Sequence, residues 1–298
     1  MKRERSELRD RVILQFEPKR IQKMTKRQPN EQREQKPNLF GLCRVASEEE
    51  VFNPQLLTLL TVGIYRTHLK INMVVAVLLA GGSGSRMGSE RPKQFLEVKG
   101  KTILEWTIEA FHRHPLVDEI AIVSRPDCIE EVKRLARPYP KVRQVLPGGK
   151  ERYDSSLAAI RAYREDGCRL LLHDAVRPLV SERIITECIE ALDSYEAVNV
   201  AVPCTDTIIE VSDEGIIRRI PPRSSLRNVQ TPQGFRRGTI QRAYSIALQD
   251  PAFQTTDDCG VVFRYLPDVP IRVVEGDMQN IKVTYPRDLL FMEEKVER

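Results

Sequence analysis

Arg86 and Lys93 stand at the middle and far end of a glycine-rich loop, in the stretch VVAVLLAGGSGSRMGSERPKQF that runs from Val74 to Phe95. Bare backbone at Gly81, Gly82 and Gly84 can come close to a ligand and present its N–H groups. Cations fixed beside such a turn add charge where the amides add hydrogen bonds, and that combination suits a polyphosphate. An ordinary turn has no use for a cation at each end. The spacing Gly82-x-Gly84-x-x-x-Gly88 departs from the dinucleotide fingerprint G-x-G-x-x-G, and no Gly-Lys-Ser/Thr closes the loop as in a Walker sequence. A dinucleotide-binding oxidoreductase is the rival of another class, and that spacing counts against it.

The loop must be held by something rigid. Val74–Ala80 is apolar, rich in β-branched residues and bounded by glycine, the pattern of a buried strand. Beyond it strands and helices alternate. Periodicity predicts helices over Thr102–Arg113, with Ile103, Trp106, Thr107 and Ala110 on one face, and over Cys128–Ala136, Asp154–Glu165 and Glu182–Ser194. Strands are predicted over Glu119–Ser124, Val142–Leu146, Arg169–His173 and Ala197–Pro203. This order predicts an α/β fold with a doubly wound, mostly parallel sheet, which takes ligands at the carboxyl ends of its strands. Asp174 and Arg177 follow Arg169–His173 at such an end. The segment Thr205–Gln233 breaks the rhythm: Asp206–Val211 and Gly215–Ile220 alternate around Ser212-Asp213-Glu214 as a β-hairpin arm with nothing of its own to pack on.

The net charge of +5 is unevenly spread. Residues 1–72 carry 15 Lys and Arg against 9 Asp and Glu, and the remainder carries 32 against 33. Residues 73–298 therefore offer no reason to expect nucleic acid as a partner. Residues 1–40 lack the pattern of a core. They contain no apolar run of a secretory signal, and their interspersed acidic residues do not fit a transit peptide. We expect residues 1–72 to be a disordered or dispensable leader, with Met73 as the functional start of a domain over 73–298. The six cysteines are scattered without a C-x-x-C pair, as in reduced cytoplasmic proteins. His112-x-His114 reads as a surface pair rather than metal ligands. Leu56–Tyr65 is about half the roughly 20 apolar residues that span a bilayer, so no membrane is expected.

Six ordered blocks carry a resemblance. They are the loop with its Pro92-Lys93-Gln94-Phe95 ending, Gly148-Gly149-Lys150-Glu151-Arg152, His173-Asp174-Ala175-Val176-Arg177-Pro178, Gln230-Thr231-Pro232-Gln233, Thr256-Asp257-Asp258 and Asn280-Ile281-Lys282-Val283-Thr284. Together they resemble the CTP-dependent polyol-phosphate nucleotidyltransferases: the 2-C-methyl-D-erythritol 4-phosphate and ribitol 5-phosphate cytidylyltransferases.

That resemblance implies transfer of a cytidylyl group from CTP to a polyol phosphate, with Mg²⁺ and loss of pyrophosphate. The acceptor's phosphate oxygen attacks the α-phosphorus in line, so the site needs cations and backbone donors rather than a nucleophile. Carried over residue by residue, Ala80, Gly81, Gly82, Gly84 and Ser85 hold CTP, with Gly148 and Ser155 near the base. Arg86 and Lys93 grip the triphosphate, and Lys282 acts at the α-phosphate. Arg223 reaches in from a second subunit to the acceptor phosphate, which implies a homodimer joined through the arm. Asp174, Arg177, Thr207, Thr231 and Thr256 surround the acceptor, and Asp174 can orient Mg²⁺. Lys150 stands where the family often has Asp and is left out of the site.

Two acceptors share almost every motif. His173–Arg177 and the Thr256-Asp257-Asp258 triplet are similar to the methylerythritol phosphate enzymes, which supply isoprenoid precursors. Ile220-Pro221-Pro222-Arg223, Glu210 and Cys259 point to the ribitol phosphate branch, which makes CDP-ribitol for polyol-phosphate polymers. Methylerythritol phosphate leads, because precursor supply is the commoner duty of a stand-alone enzyme of this kind.

Overall fold

The computed structural model describes residues 73–82, 91–165 and 167–296. Gly84, Ser85, Arg86 and the leader over 1–72 lie outside the described residues.

A seven-stranded sheet organises the domain. Its strands are β1 (Val74–Ala80), β2 (Glu119–Ser124), β3 (Val142–Pro147), β4 (Arg169–Asp174), β5 (Ala197–Pro203), β8 (Arg227–Arg236) and β9 (Ile271–Glu275), in the order β9-β5-β8-β4-β1-β2-β3. Among the described residues β8 is the only strand of this sheet that runs antiparallel to its neighbours. The chain lays down β1, β2 and β3 in one direction, then crosses to the other side of β1 to add β4. That reversal opens a crevice between the carboxyl ends of β1 and β4, where a doubly wound sheet receives its ligand.

Helices cover both faces. On one face α1 (Ile103–Arg113), α2 (Ile129–Ala136) and α4 (Glu182–Ser194) pack on Ala76 and Leu78 of β1. On the other, α3 (Arg152–Ala162), α5 (Arg237–Ala247) and α6 (Asp258–Tyr265) pack against Val75 and Val77. Alternate residues of β1 thus serve opposite cores, which is why its sequence is apolar throughout. A smaller cluster joins α7 (Pro286–Lys295), through Met292, to Ile103, Val176 and Val283.

The sequence expectations for β1, β2, α4 and β5 match the structure at both ends. Three differences are informative. α1 buries Ile103, Leu104, Thr107, Ile108 and Phe111, leaving Trp106 and Ala110 half-buried. The buried face is rotated from the expected stripe towards Leu104 and Ile108, and Trp106 sits at its edge, donating Nε1–H to the Val98 carbonyl at 2.9 Å. α3 starts at Arg152 rather than Asp154, because Glu151 caps it in a reciprocal box with Asp154.

The arm is also shorter than expected. Arg227–Arg236 belongs to the sheet as β8, so the part outside it ends near Leu226, whose carbonyl accepts from Cys204 N at 3.2 Å. The hairpin itself pairs only β6 (Glu210–Val211) with β7 (Ile217–Arg219), around a turn in which Gly215 takes φ +79°. Only glycine adopts that conformation without strain.

Candidate active site

A cavity of about 460 Å³ fills the crevice at the carboxyl ends of β1 and β4. Its floor is the start of the glycine loop, Ala80–Gly82. Gln94 braces that floor from below, donating Nε2–H to the carbonyls of Ala80 (2.9 Å) and Gly82 (3.2 Å). Phe95 anchors the same segment in the core. The Pro92-Lys93-Gln94-Phe95 sequence therefore has a division of labour: Phe95 fixes the turn, Gln94 shapes the loop and Lys93 faces the cavity.

Lys93 is only 8% exposed and donates Nζ–H to the Val283 carbonyl at 2.7 Å. That single bond joins segments 190 residues apart in the chain and sets Lys93 beside Lys282. Lys282 in turn lies 3.0 Å from Asp174 Oδ2, and Arg177 Nε lies 3.3 Å from the same oxygen. Burial alone would raise the Asp174 pKa, but Lys282, Arg177 and Arg152 outweigh it and hold the carboxyl well below its ordinary range. Asp174 is therefore an anion at the centre of a cationic cavity.

Behind Asp174 lies a second layer. Arg177 is buried and donates Nη1–H to the Asn280 carbonyl at 2.8 Å. Asn280 donates Nδ2–H to the Thr231 carbonyl at 2.9 Å. The Thr231 hydroxyl oxygen accepts from Asp174 N at 3.1 Å and lies 3.0 Å from His173 Nδ1, while His173 Nε2 lies 3.0 Å from the Arg177 carbonyl. A carbonyl can only accept, so Nε2 carries the proton and Nδ1 accepts from the Thr231 hydroxyl. Thr231 and Arg177, expected at the acceptor, here support the Asp174 backbone and carboxylate and do not line the cavity.

The neutral imidazole gives a stability prediction. Burial pushes the His173 pKa down to about 4 from 6.5. Between those values the unfolded chain binds the proton and the folded protein does not, so stability falls as pH drops from 6.5 towards 4. The full loss is about 3 kcal/mol. His114, expected at the surface, is in fact buried beside the Thr186 hydroxyl, and burial depresses its pKa as well, with the same sign. Urea unfolding across this window checks it: His173→Gln should have a shallower slope than the wild type, and equal slopes would contradict a buried neutral imidazole.

At the other end of the cavity Gly149 and Ser155 form the wall. A Cβ on Gly148 would come within 2.6 Å of Ser155 Oγ, and one on Gly149 within 2.4 Å of Asp154 Cβ. The α3 N-terminus can close on the loop only because both residues are glycine. Lys150 and Arg152 also line the cavity, although neither stood among the expected site residues. Lys150 was discounted as a departure from the family, and Arg152 fell before the expected start of α3.

The remaining expected residues lie elsewhere. Thr207 and Arg223 are exposed on the arm, with Arg223 Nη1 donating to the Thr205 carbonyl at 3.1 Å, and Thr256 is exposed before α6. Among the described residues no three His, Cys, Asp or Glu side chains cluster as a metal site. A lone ionised carboxylate suits a Mg²⁺ that arrives with phosphate oxygens and water as its other ligands.

The model of the 2-C-methyl-D-erythritol 4-phosphate cytidylyltransferase (IspD) family matches residues 74–298. An enzyme of that name from Thermobifida fusca is 49% identical over 228 residues, covering 74% of this chain and 92% of its own. The bifunctional ribulose 5-phosphate reductase/CDP-ribitol pyrophosphorylase of Haemophilus influenzae is 44% identical over 223 residues, 73% of this chain and 47% of that protein. Among solved structures, 4-diphosphocytidyl-2C-methyl-D-erythritol synthase from Anaerococcus prevotii has a TM-score of 0.68 at 30% identity, covering 76% of this chain and 97% of that one. The cytidylyltransferase of Thermus thermophilus has a TM-score of 0.59 at 30% identity, over 73% and 96%. Sharing close to half its matched residues with the Thermobifida enzyme and its fold with both structures, this chain belongs to the 2-C-methyl-D-erythritol 4-phosphate cytidylyltransferase family.

Proposed function

We propose that this chain transfers the cytidylyl group of CTP to 2-C-methyl-D-erythritol 4-phosphate, forming CDP-methylerythritol and pyrophosphate. The observation that carries this reading is the Lys93–Val283 bond, which gathers two lysines over the glycine loop at the sheet's ligand-binding edge. Loop amides and Arg86 receive the triphosphate, and Gly148 and Ser155 lie towards the base. The acceptor phosphate oxygen attacks the α-phosphorus while the bond to pyrophosphate breaks. Lys93 and Lys282 meet the charge that builds on the oxygens between them. Asp174 would hold a Mg²⁺ carried by the nucleotide, which supplies further neutralisation of the phosphates.

The acceptor side is completed by a second copy of the chain. Ile208, Ile209, Val211, Ile216, Ile217 and Ile220 are all exposed on and around the hairpin, Ile216 at 66%. Water-facing branched side chains at that density fit an isologous contact between two arms. Docking would carry Thr207 and Arg223 towards the partner's cavity, with Thr256 contributing from its own chain. We assign the homodimer to the cytoplasm, in line with the free, buried thiols of Cys128, Cys168, Cys188, Cys204 and Cys259. No helix among the described residues is long and apolar enough to cross a membrane.

A second acceptor has support from the Haemophilus relative and from the Pro-Pro-Arg sequence before Ser224. Pyrophosphate release with CTP, Mg²⁺ and each acceptor in turn separates the two. Methylerythritol phosphate should give the higher kcat/KM. A preference for ribitol 5-phosphate would move the chain to the CDP-ribitol branch, and no release with either would overturn the reaction.

A further inference from the structure

Outside the lysine pair, the cavity wall contains a cation whose support is wholly internal. Arg152 Nη1 lies 2.6 Å from Asp258 Oδ2. Asp258 is fully buried, and its other carboxylate oxygen accepts from the Tyr244 hydroxyl at 2.7 Å. Its backbone N–H is held by Gln233 Oε1 at 3.0 Å, and Gln233 Nε2 donates to Asp257 Oδ2 at 2.6 Å. Tyr244 of α5 thus holds the carboxylate itself, while Gln233 of β8 fixes the backbone at the start of α6 that carries it. Arg152, by contrast, keeps 30% of its side chain exposed and lines the cavity.

This asymmetry separates a functional from a structural ion pair. A pair kept only for stability gains nothing by burying the acid completely while leaving the base open, since a buried carboxylate is costly to desolvate. A guanidinium has five donors, and the bond to Asp258 takes one. Among the described residues no other hydrogen-bond partner takes the rest of the fork, which faces the cavity with its orientation set from behind. Arg152 stands one helical turn before Ser155, and its charge is felt at Asp174. It therefore lies between the base end of the cavity and the reaction centre. Burial works against the Arg152 charge, but Asp258 and Asp174 outweigh it, so the cation persists throughout the working pH range.

We propose that Arg152 binds an oxygen of the nucleotide between its base and its reacting phosphate, and that Asp258, held by Tyr244 and Gln233, is the positioning residue that aims it. This rests on CTP being the nucleotide of the cavity. The arrangement makes Arg152 a determinant of CTP affinity, separate from the lysines that act on the transferred phosphate.

The test measures CTP affinity by calorimetry in the presence of Mg²⁺, alongside melting temperature. Arg152→Met strands a buried carboxylate and should both lower the melting temperature and weaken CTP binding by roughly tenfold to a hundredfold, the range for a charged hydrogen bond. The double variant Arg152→Met/Asp258→Asn removes both charges and keeps an acceptor for Tyr244. It should recover much of the melting temperature while its CTP affinity stays weak. Tyr244→Phe, which loosens Asp258 alone, should raise KM for CTP several-fold with little change in kcat, and Arg152→Lys should recover part of the affinity. Recovery of wild-type CTP affinity in the double variant, or its retention in Arg152→Met, would show a purely structural pair and overturn the proposal. The two readings fail separately: absent pyrophosphate release from the wild type refutes the reaction, whereas the affinity ratios between variants refute the role of Arg152.

Discussion

Alanine at Lys93 or at Lys282 is expected to cut turnover by roughly 10²–10³-fold, the usual cost of losing one transition-state contact. The two lysines come from opposite ends of the domain and are brought together where Lys93 bonds the Val283 carbonyl, so both place charge in the same cavity. Their backgrounds differ. Lys282 is partly exposed and its partner Asp174 retains Arg177 on the same carboxylate oxygen, so Lys282→Ala should fold normally. Lys93 is buried, and its removal leaves the Val283 carbonyl without that donor, which should lower stability by about 1–3 kcal/mol. Steady-state kinetics on protein whose melting curve is still cooperative separates the two effects. Near-wild-type kcat in either variant would remove that lysine from the transition state.

A mixture of two dead variants should regain activity. Arg223 lies on the arm and Lys93 in the cavity, and if the arm serves the partner, each substitution damages a different subunit's contribution to a given site. A heterodimer of Arg223→Ala with Lys93→Ala then holds one site with both lesions and one with neither. Up to about half the wild-type activity per heterodimer should return, by the symmetry of a two-fold assembly. Subunit exchange must be demonstrated independently, for example with differently tagged chains. Mixtures that exchange and yet remain inactive would place Arg223 in cis or outside the reaction.

The frame of the site was legible because its signals are local. β1 is an apolar run that stops at glycine, and β4 one that stops at His173-Asp174, so both walls of the crevice follow from the alternation of strands and helices. Gly148 and Gly149 announce a close approach. What escaped depended on contacts distant in sequence. Residues 227–233 of β8 fall within the expected arm, since Pro232 argues against a strand and only insertion between β4 and β5 overrides it. Arg152 escaped because an acidic N-cap moved the helix start by two residues. The bonds that place Thr231 and Arg177 behind Asp174, to Asp174, His173 and Asn280, likewise join segments that no local pattern connects.

The position of β8 also bears on how the domain is made. Both neighbours of β5 in the sheet, β8 and β9, lie downstream of it in the chain. A nascent chain that has emerged only as far as the hairpin therefore holds β5 as a strand with no edge to join. The β4 side of the crevice likewise lacks its flanking strand. The lysine at the front of the domain waits for a carbonyl synthesised 190 residues later. The reaction centre is thus a late product of translation, and a truncated chain carries the glycine loop without the apparatus to use it.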